Sequence, residues 1–193
     1  MSWHGSDSGK RRSYHHGNLR EALIDAALRL IREKGAYGFT FAEAARAAGV
    51  SPAAPYRHFR DRDALLADVA KRGFDAFTAA LIKAWDGGRP TPAAALHRLG
   101  VAYLAFARSE PATYAAMFES GLCLADYPNL AAASDQAFAV LRHACEMVIA
   151  TMPPAQRPPA LMMALHIWSL SHGIASLFGR GDKARRPLSV DPE

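Results

Sequence analysis

The stretch from Thr40 to Phe59 constrains this chain more than any other. Thr40 and Glu43 stand at the spacing of a capping box, in which each side chain bonds the other's backbone N–H at a helix start. Gly49 closes that helix, and Ser51-Pro52 opens another. Serine is a favoured N-cap, and proline suits the first helical position, where its missing N–H has no partner to lose. The pattern predicts two short helices, over Phe41 to Val50 and Ser51 to Phe59, held at a fixed angle. Such a pair needs a small residue at the crossing, a glycine in the left-handed turn and an apolar lock, and Ala45, Gly49 and Val50 stand there.

Elsewhere the signals are also helical. Half of the residues are hydrophobic and β-branched runs are scarce, so an all-α protein is expected. A first helix is expected to start at Asn18 and end at Lys34-Gly35, with Leu19, Leu23, Ala27, Leu30 and Ile31 facing inward. A long helix should run from Arg62 to about Trp85. Two glycines and two prolines between Asp86 and Pro92 break it. Helices then resume over Ala93–Ser109, Ala112–Glu119, Asn129–Thr151 and Ala160–Phe178. The expected organisation is a basic arm (1–13), a three-helix helix-turn-helix module (14–62), a connecting helix (63–86), a helical C-terminal domain (87–180) and a tail (181–193). Arg180-Gly181-Asp182 reads as a polar turn at a helix end.

Charge is unevenly spread. Residues 1–62 carry 11 basic and 6 acidic side chains, whereas residues 63–193 carry 12 of each, so the net +5 lies wholly in the first third. A basic module joined to a neutral one fits a polyanion-binding head on a different kind of domain. The second helix offers the short residues Ser51, Pro52, Ala53 and Ala54 at its tip, then Tyr56, Arg57 and His58. Small residues let a backbone approach base edges in a major groove, while Tyr56 and His58 can reach phosphates. Adjacent His15 and His16 extend the basic context into the arm.

Tyr14-His15-His16-Gly17-Asn18-Leu19-Arg20, Phe39-Thr40-Phe41, Ala48-Gly49-Val50-Ser51 and Tyr56-Arg57-His58-Phe59 together resemble the tetracycline-repressor (TetR) family, from Tyr14 to about Val69. The resemblance implies a DNA-binding head, a ligand-binding and dimerising C-terminal domain, and repression of a palindromic double-stranded operator relieved by a small molecule. Carried over by position, Thr40 would bond phosphate, Ser51, Ala53 and Ala54 would face bases, and Tyr56, His58 and Arg62 would grip the backbone. Pro55 departs from the leucine of many members; it is expected to be tolerated in the helix's first turn, with some loss of packing there. A rival reading is a ligand-binding or interaction dimer without DNA recognition.

In the C-terminal half, Trp168, His172 and Gly173 resemble the Trp-His-Gly pattern of one subtype, and Pro111-Ala112-Thr113-Tyr114 with Met117-Phe118 resembles its upstream motif. Leu161, Leu165, Trp168, His172 and Ala175 form one helical stripe, which directs His172 inward as a core histidine before a ligand contact. Gly173 should admit a neighbouring helix. Trp85, Tyr103, Phe106, Met117, Phe118, Trp168 and His172 are the candidate pocket residues, with Arg108 and Glu110 as possible polar selectors. Apolar residues on more than one face of the last two helices predict a homodimer.

No phosphate-cradling loop, nucleophile elbow or Cys/His array is present, so an enzyme, a cofactor and a metal are not expected. Cys123 and Cys145 both read as reduced core residues of apolar helical stretches. No apolar run approaches the length of a membrane span, and Met1–Tyr14 lacks a signal peptide's core, so a cytoplasmic location is expected.

Overall fold

The computed structural model describes residues 19–178. The basic arm, Tyr14 to Asn18, the Arg180-Gly181-Asp182 turn and the tail lie outside the described residues. Within them the chain forms seven α-helices and no strand: α1 (Leu19–Lys34), α2 (Phe41–Ala47), α3 (Arg62–Trp85), α4 (Pro92–Ser109), α5 (Pro111–Phe118), α6 (Pro128–Ala150) and α7 (Ala160–Phe178). A 3-10 turn, Ala54–Arg57, stands between α2 and α3.

Local chemistry explains the head. The Thr40–Glu43 capping box is complete at the start of α2. At its end the Val50 N–H bonds the Ala45 carbonyl at 3.0 Å and the Gly49 N–H bonds that of Arg46 at 3.0 Å, a Schellman closure. It turns on Gly49 at φ +75°, a backbone state open to glycine. Ala45 is fully buried at the crossing, and Val50 packs against the core.

The segment after Gly49 differs from expectation. It forms a single 3-10 turn rather than a helix from Ser51 to Phe59, and Ser51 accepts the Ala54 N–H through its carbonyl rather than capping with its hydroxyl. Pro55 is the physical reason: it has no N–H to return to Ser51, so regular α-helical bonding cannot be established until His58 and Phe59 donate to the Pro55 carbonyl. The expected loss of packing does not occur, because Pro55 is fully buried.

The 24-residue α3 is the spine. Asp61 caps it by accepting the Ala64 N–H at 2.7 Å. Its first half packs on α1, and the rest packs against α4, α5 and α6. One buried cluster accordingly runs from Leu23 and Phe39 in the head to Leu141 and Ala175 in the C-terminal bundle. The short α5 wedges between α1 and α3, and Gly73 makes that approach possible. A Cβ there would lie 2.7 Å from Thr113 and 2.8 Å from Met117.

Two cysteine and helix-face expectations need correction. Cys145 is buried, but Cys123 is exposed in the connector before α6. On α7 the inward residues are Ala164 and Ala175, with Trp168 and His172 half-buried, whereas Leu161 and Leu165 are exposed. The predicted stripe therefore splits between inside and outside. A Cβ on Gly173 would meet nothing within 4 Å, so no helix among the described residues approaches it. α7 is also long and apolar enough, by length and composition, to cross a membrane. Its histidines and serines break any continuous apolar run, while its leucines, methionines and isoleucines keep the average high.

Candidate nucleic-acid interface and core cavity

The head presents one outward face. Ser51, Pro52, Ala53, Tyr56, Arg57 and His58 are exposed, and Ala54 is half-buried. Tyr56 is 63% exposed, yet its ring is held edge-on against Phe41 at 5.0 Å, leaving the hydroxyl end outward. The short side chains stand before the 3-10 turn and the long ones on it.

Thr40 is exposed but fully engaged. Its hydroxyl donates to the Glu43 carboxylate at 3.0 Å and accepts the Glu43 N–H at 3.2 Å. A phosphate accepts hydrogen bonds here, so Thr40 can donate to one only if its hydroxyl turns away from the Glu43 carboxylate. Lys34 bonds Glu43 at 2.7 Å and, with the Thr40 bonds, pulls the Glu43 carboxyl down to about 2.

Arg62 is placed differently from the backbone grip expected of it. Its guanidinium donates to the carbonyls of Phe39, at 2.8 Å, and Ala36, pairs with Asp63 at 2.7 Å, and lies 4.7 Å from the Phe39 ring centre. It clasps the α1–α2 loop onto α3. Arg46 and Arg57, by contrast, pair with no carboxylate among the described residues, and both are exposed. Arg46 went unnoticed in the sequence. Its signal was a cation in the last turn of α2, one turn before Gly49.

Ion pairs tie the head to α3. Arg72 forks onto the Glu21 carboxylate of α1, and Arg20 pairs with Asp68 at 2.6 Å. The Arg72 fork holds the Glu21 carboxyl below its ordinary value. Farther out, Arg60 reaches the Tyr127 hydroxyl at 3.3 Å and lies over its ring, bridging a hollow between the head and the start of α6.

A second site lies in the C-terminal bundle. An apolar cavity of about 30 Å³ is lined by Phe74, Phe77 and Leu81 of α3 and Leu99 and Tyr103 of α4. Phe118 of α5, Ser134, Ala137, Phe138 and Leu141 of α6, and Trp168 of α7 complete it. Of the seven pocket candidates, Tyr103, Phe118 and Trp168 line it. Trp85 packs near His143, Phe106 on Phe77, and Met117 beneath Gly73, all buried but outside the cavity. Arg108 and Glu110 are exposed and face no part of it. The sequence reading missed the contributions of α3 and α6. Phe74, Phe77 and Leu81 recur at spacings of 3 and 4, which places them on one face of α3.

His172 stands just behind the cavity wall. Its Nδ1 lies 2.7 Å from the Tyr114 hydroxyl and 3.2 Å from that of Tyr103, while Nε2 lies 3.4 Å from Ser176 Oγ. Its ring stacks on Tyr114 and meets Phe118 edge-on at 4.9 Å. Burial pushes the His172 pKa down, which favours a neutral ring whose Nδ1 accepts from a tyrosine. Burial, helped by Tyr114, pushes the Tyr103 hydroxyl up. These contacts fit a structural histidine. No group of three or more His, Cys, Asp or Glu suited to a metal occurs among the described residues.

Two family models match the chain. Residues 23–69 match the bacterial regulatory proteins of the tetR family, and residues 96–192, half of the chain, match the tetracyclin repressor-like C-terminal domain. The chain belongs to the TetR family of transcriptional regulators. The HTH-type transcriptional regulator BetI of Rhizobium meliloti (strain 1021) is 49% identical over 47 residues, which are 24% of this chain and 23% of BetI. A Rhodococcus sp. RHA1 protein of unknown function superposes with a TM-score of 0.74 at 31% identity, covering 91% of this chain and 90% of that one. AibR, solved with isovaleryl coenzyme A and operator DNA, superposes with a TM-score of 0.68 at 18% identity, covering 86% of this chain and 91% of that one. At that identity the likeness to AibR concerns the fold alone. The TetR fold accounts for the arrangement of an N-terminal helix-turn-helix head on a helical bundle.

Proposed function

We propose that this TetR-family protein is a cytoplasmic repressor that binds a palindromic double-stranded operator as a homodimer and is released by a small-molecule effector. The observation that carries the reading is the outward face of Ser51 to His58, presented by a head that the Arg20–Asp68 and Glu21–Arg72 ion pairs fasten to α3. In this reading Ser51, Ala53 and Ala54 approach base edges, and Tyr56, Arg57, His58 and Arg46 meet phosphates. The effector occupies the core cavity. Because Phe74, Phe77 and Leu81 sit on the helix that also anchors the head, a ligand that displaces them shifts the spacing of the two reading heads.

Dimerisation is supported by α7, where Leu161, Met162, Leu170 and Leu177 are exposed together. A second copy of the same face would cover them, and Gly173 leaves room for its close approach. Sedimentation at micromolar concentration should give a dimer, and a Leu170→Glu, Leu177→Glu double variant a monomer. A monomeric parent, or a parent that partitions into lipid vesicles, would refute this part.

The DNA reading is tested by titrating random duplex at several salt concentrations. Affinity should fall steeply with salt as phosphate contacts release counterions. A Tyr56→Ala, His58→Ala double variant should bind at least ten-fold more weakly while remaining dimeric. The single 3-10 turn around Pro55 favours the rival, an effector-binding dimer without DNA recognition. Absence of duplex binding even at low salt would decide for that rival. Operator affinity measured with and without a bound effector tests the release step.

A further inference from the structure

We infer that the core cavity takes a small uncharged ligand built on one aromatic ring with a single hydrogen-bonding atom, and that Ser134 reads that atom. The inference rests on the effector reading of this cavity and names the class of molecule that fits it.

Six rings, from Phe74, Phe77, Tyr103, Phe118, Phe138 and Trp168, surround the space, and no lysine, arginine, aspartate or glutamate lines it. An ionised ligand group would lose its water there and meet no countercharge, a cost that excludes carboxylates and phosphates. A quaternary ammonium can be stabilised by ring faces, but these rings cover one another. Phe77 meets Tyr103 edge-to-face at 5.0 Å, and Phe74 meets Phe118 in the same way at 5.3 Å. In each pair one ring gives a face to the other's edge, which takes that face from any cage around a cation.

The polar side-chain groups of the lining residues are the hydroxyls of Tyr103 and Ser134 and the indole N–H of Trp168, which is directed to the Tyr103 hydroxyl. The Tyr103 hydroxyl is committed to Tyr114 and His172. Ser134 makes no hydrogen bond among the described residues, so its hydroxyl can donate to or accept from a ligand atom. Volume sets the size. About 30 Å³ holds a water or two, so a ring enters only by displacing a wall, and the half-buried rings of Phe118, Phe138 and Trp168, the last two with centres 5.3 Å apart, are the walls nearest solvent. A bulky thioester or polycyclic ligand would require several walls to move at once.

The test uses the full-length dimer and four probes with the same ring: toluene, phenol, benzoate and benzyltrimethylammonium. Tryptophan emission and melting temperature report occupancy of the Trp168 site. Phenol should bind about five-fold more tightly than toluene, the effect of one net hydrogen bond. Benzoate and the ammonium should bind at least ten-fold more weakly than phenol. Ser134→Ala should lower phenol to the toluene level, and Ala137→Leu, which fills the space, should abolish both neutral probes with the helical circular-dichroism spectrum retained. A charged probe binding most tightly, no probe binding at all, or phenol unaffected by Ser134→Ala would overturn the inference. Random-duplex titrations run in parallel separate the two readings. Duplex binding without ring binding sinks the ligand class alone, and ring binding without duplex binding sinks only the DNA reading.

Discussion

Replacing Arg62 by methionine separates a clasp from a phosphate contact. The methionine keeps an unbranched apolar stem but loses the guanidinium, and with it the donations to the Phe39 and Ala36 carbonyls and the contact with the Phe39 ring. A hydrogen bond from a charged donor contributes about 1.5 kcal/mol at the low end of its range, and a cation–π contact about 0.5–1 kcal/mol at a partly exposed site. Water can re-solvate two loop carbonyls near the surface, so the expected net loss is about 2 kcal/mol. For a chain of this size that lowers the melting temperature by roughly 4–8 °C. The second measurement is the slope of log affinity for duplex against log salt. A clasp releases no counterion, so the variant should bind more weakly through a loosened head while the slope stays at the parent value. A phosphate ligand would instead lower the slope by roughly one contact, about 0.9. An unchanged melting temperature with a reduced slope would refute the structural role.

Three further perturbations follow from the bundle. Gly73→Val should destabilise by at least about 1–3 kcal/mol in a thermal melt, because its side chain must push α5 off α3 where a Cβ already falls 2.7 Å from Thr113; a neutral substitution would mean the crossing is loose. His172 has its pKa lowered from 6.5 by burial, so the unfolded chain binds the proton more readily than the folded one. Its contribution is complete above pH 6.5 and declines as pH falls below it, and the melting temperature of the parent should drop over that range more than that of His172→Gln. Native protein should react quickly with a thiol reagent at exposed Cys123 and not at Cys145, whose thiol is buried and pushed up to about 11. Equal rates at both would contradict the packing of α6.

What could be read in the sequence was what short-range chemistry dictates. Thr40 and Glu43 bond each other three residues apart, and Gly49 closes the same helix with its own neighbours, so that corner was legible before any tertiary contact was known. Pro55 shows the limit. Its missing N–H was visible, but whether the turn could still form a helix depended on Pro55 reaching the core under α1 and α2. Arg62 was assigned by analogy to a phosphate, yet the carbonyls it meets belong to a loop more than twenty residues earlier. The cavity was harder still. Aromatic stripes on α4, α5 and α7 were evident, but Trp85, Phe106 and Met117 are equally large and apolar and are consumed by packing. Only the crossing of five helices decides which rings border empty space.

That crossing also explains why such a small cavity is suited to control. Three of its five walls carry a second attachment. α3 holds the head through Asp68 and Arg72, nine and five residues, or roughly 13 and 7 Å, along the helix from Phe77. α5 brings Phe118 to the cavity and packs on α1 of the head. α6 and α7 bring Phe138 and Trp168, and α7 bears the exposed leucines assigned to the subunit contact. Close-packed interiors yield by shifting whole elements rather than by compressing. A ring accommodated in 30 Å³ must therefore move at least one wall. A movement of α3 or α5 would reach the head, and one of α7 would reach the face proposed for the subunit contact. A roomier cavity could fill without disturbing any of them, so the small volume is what would make occupancy consequential.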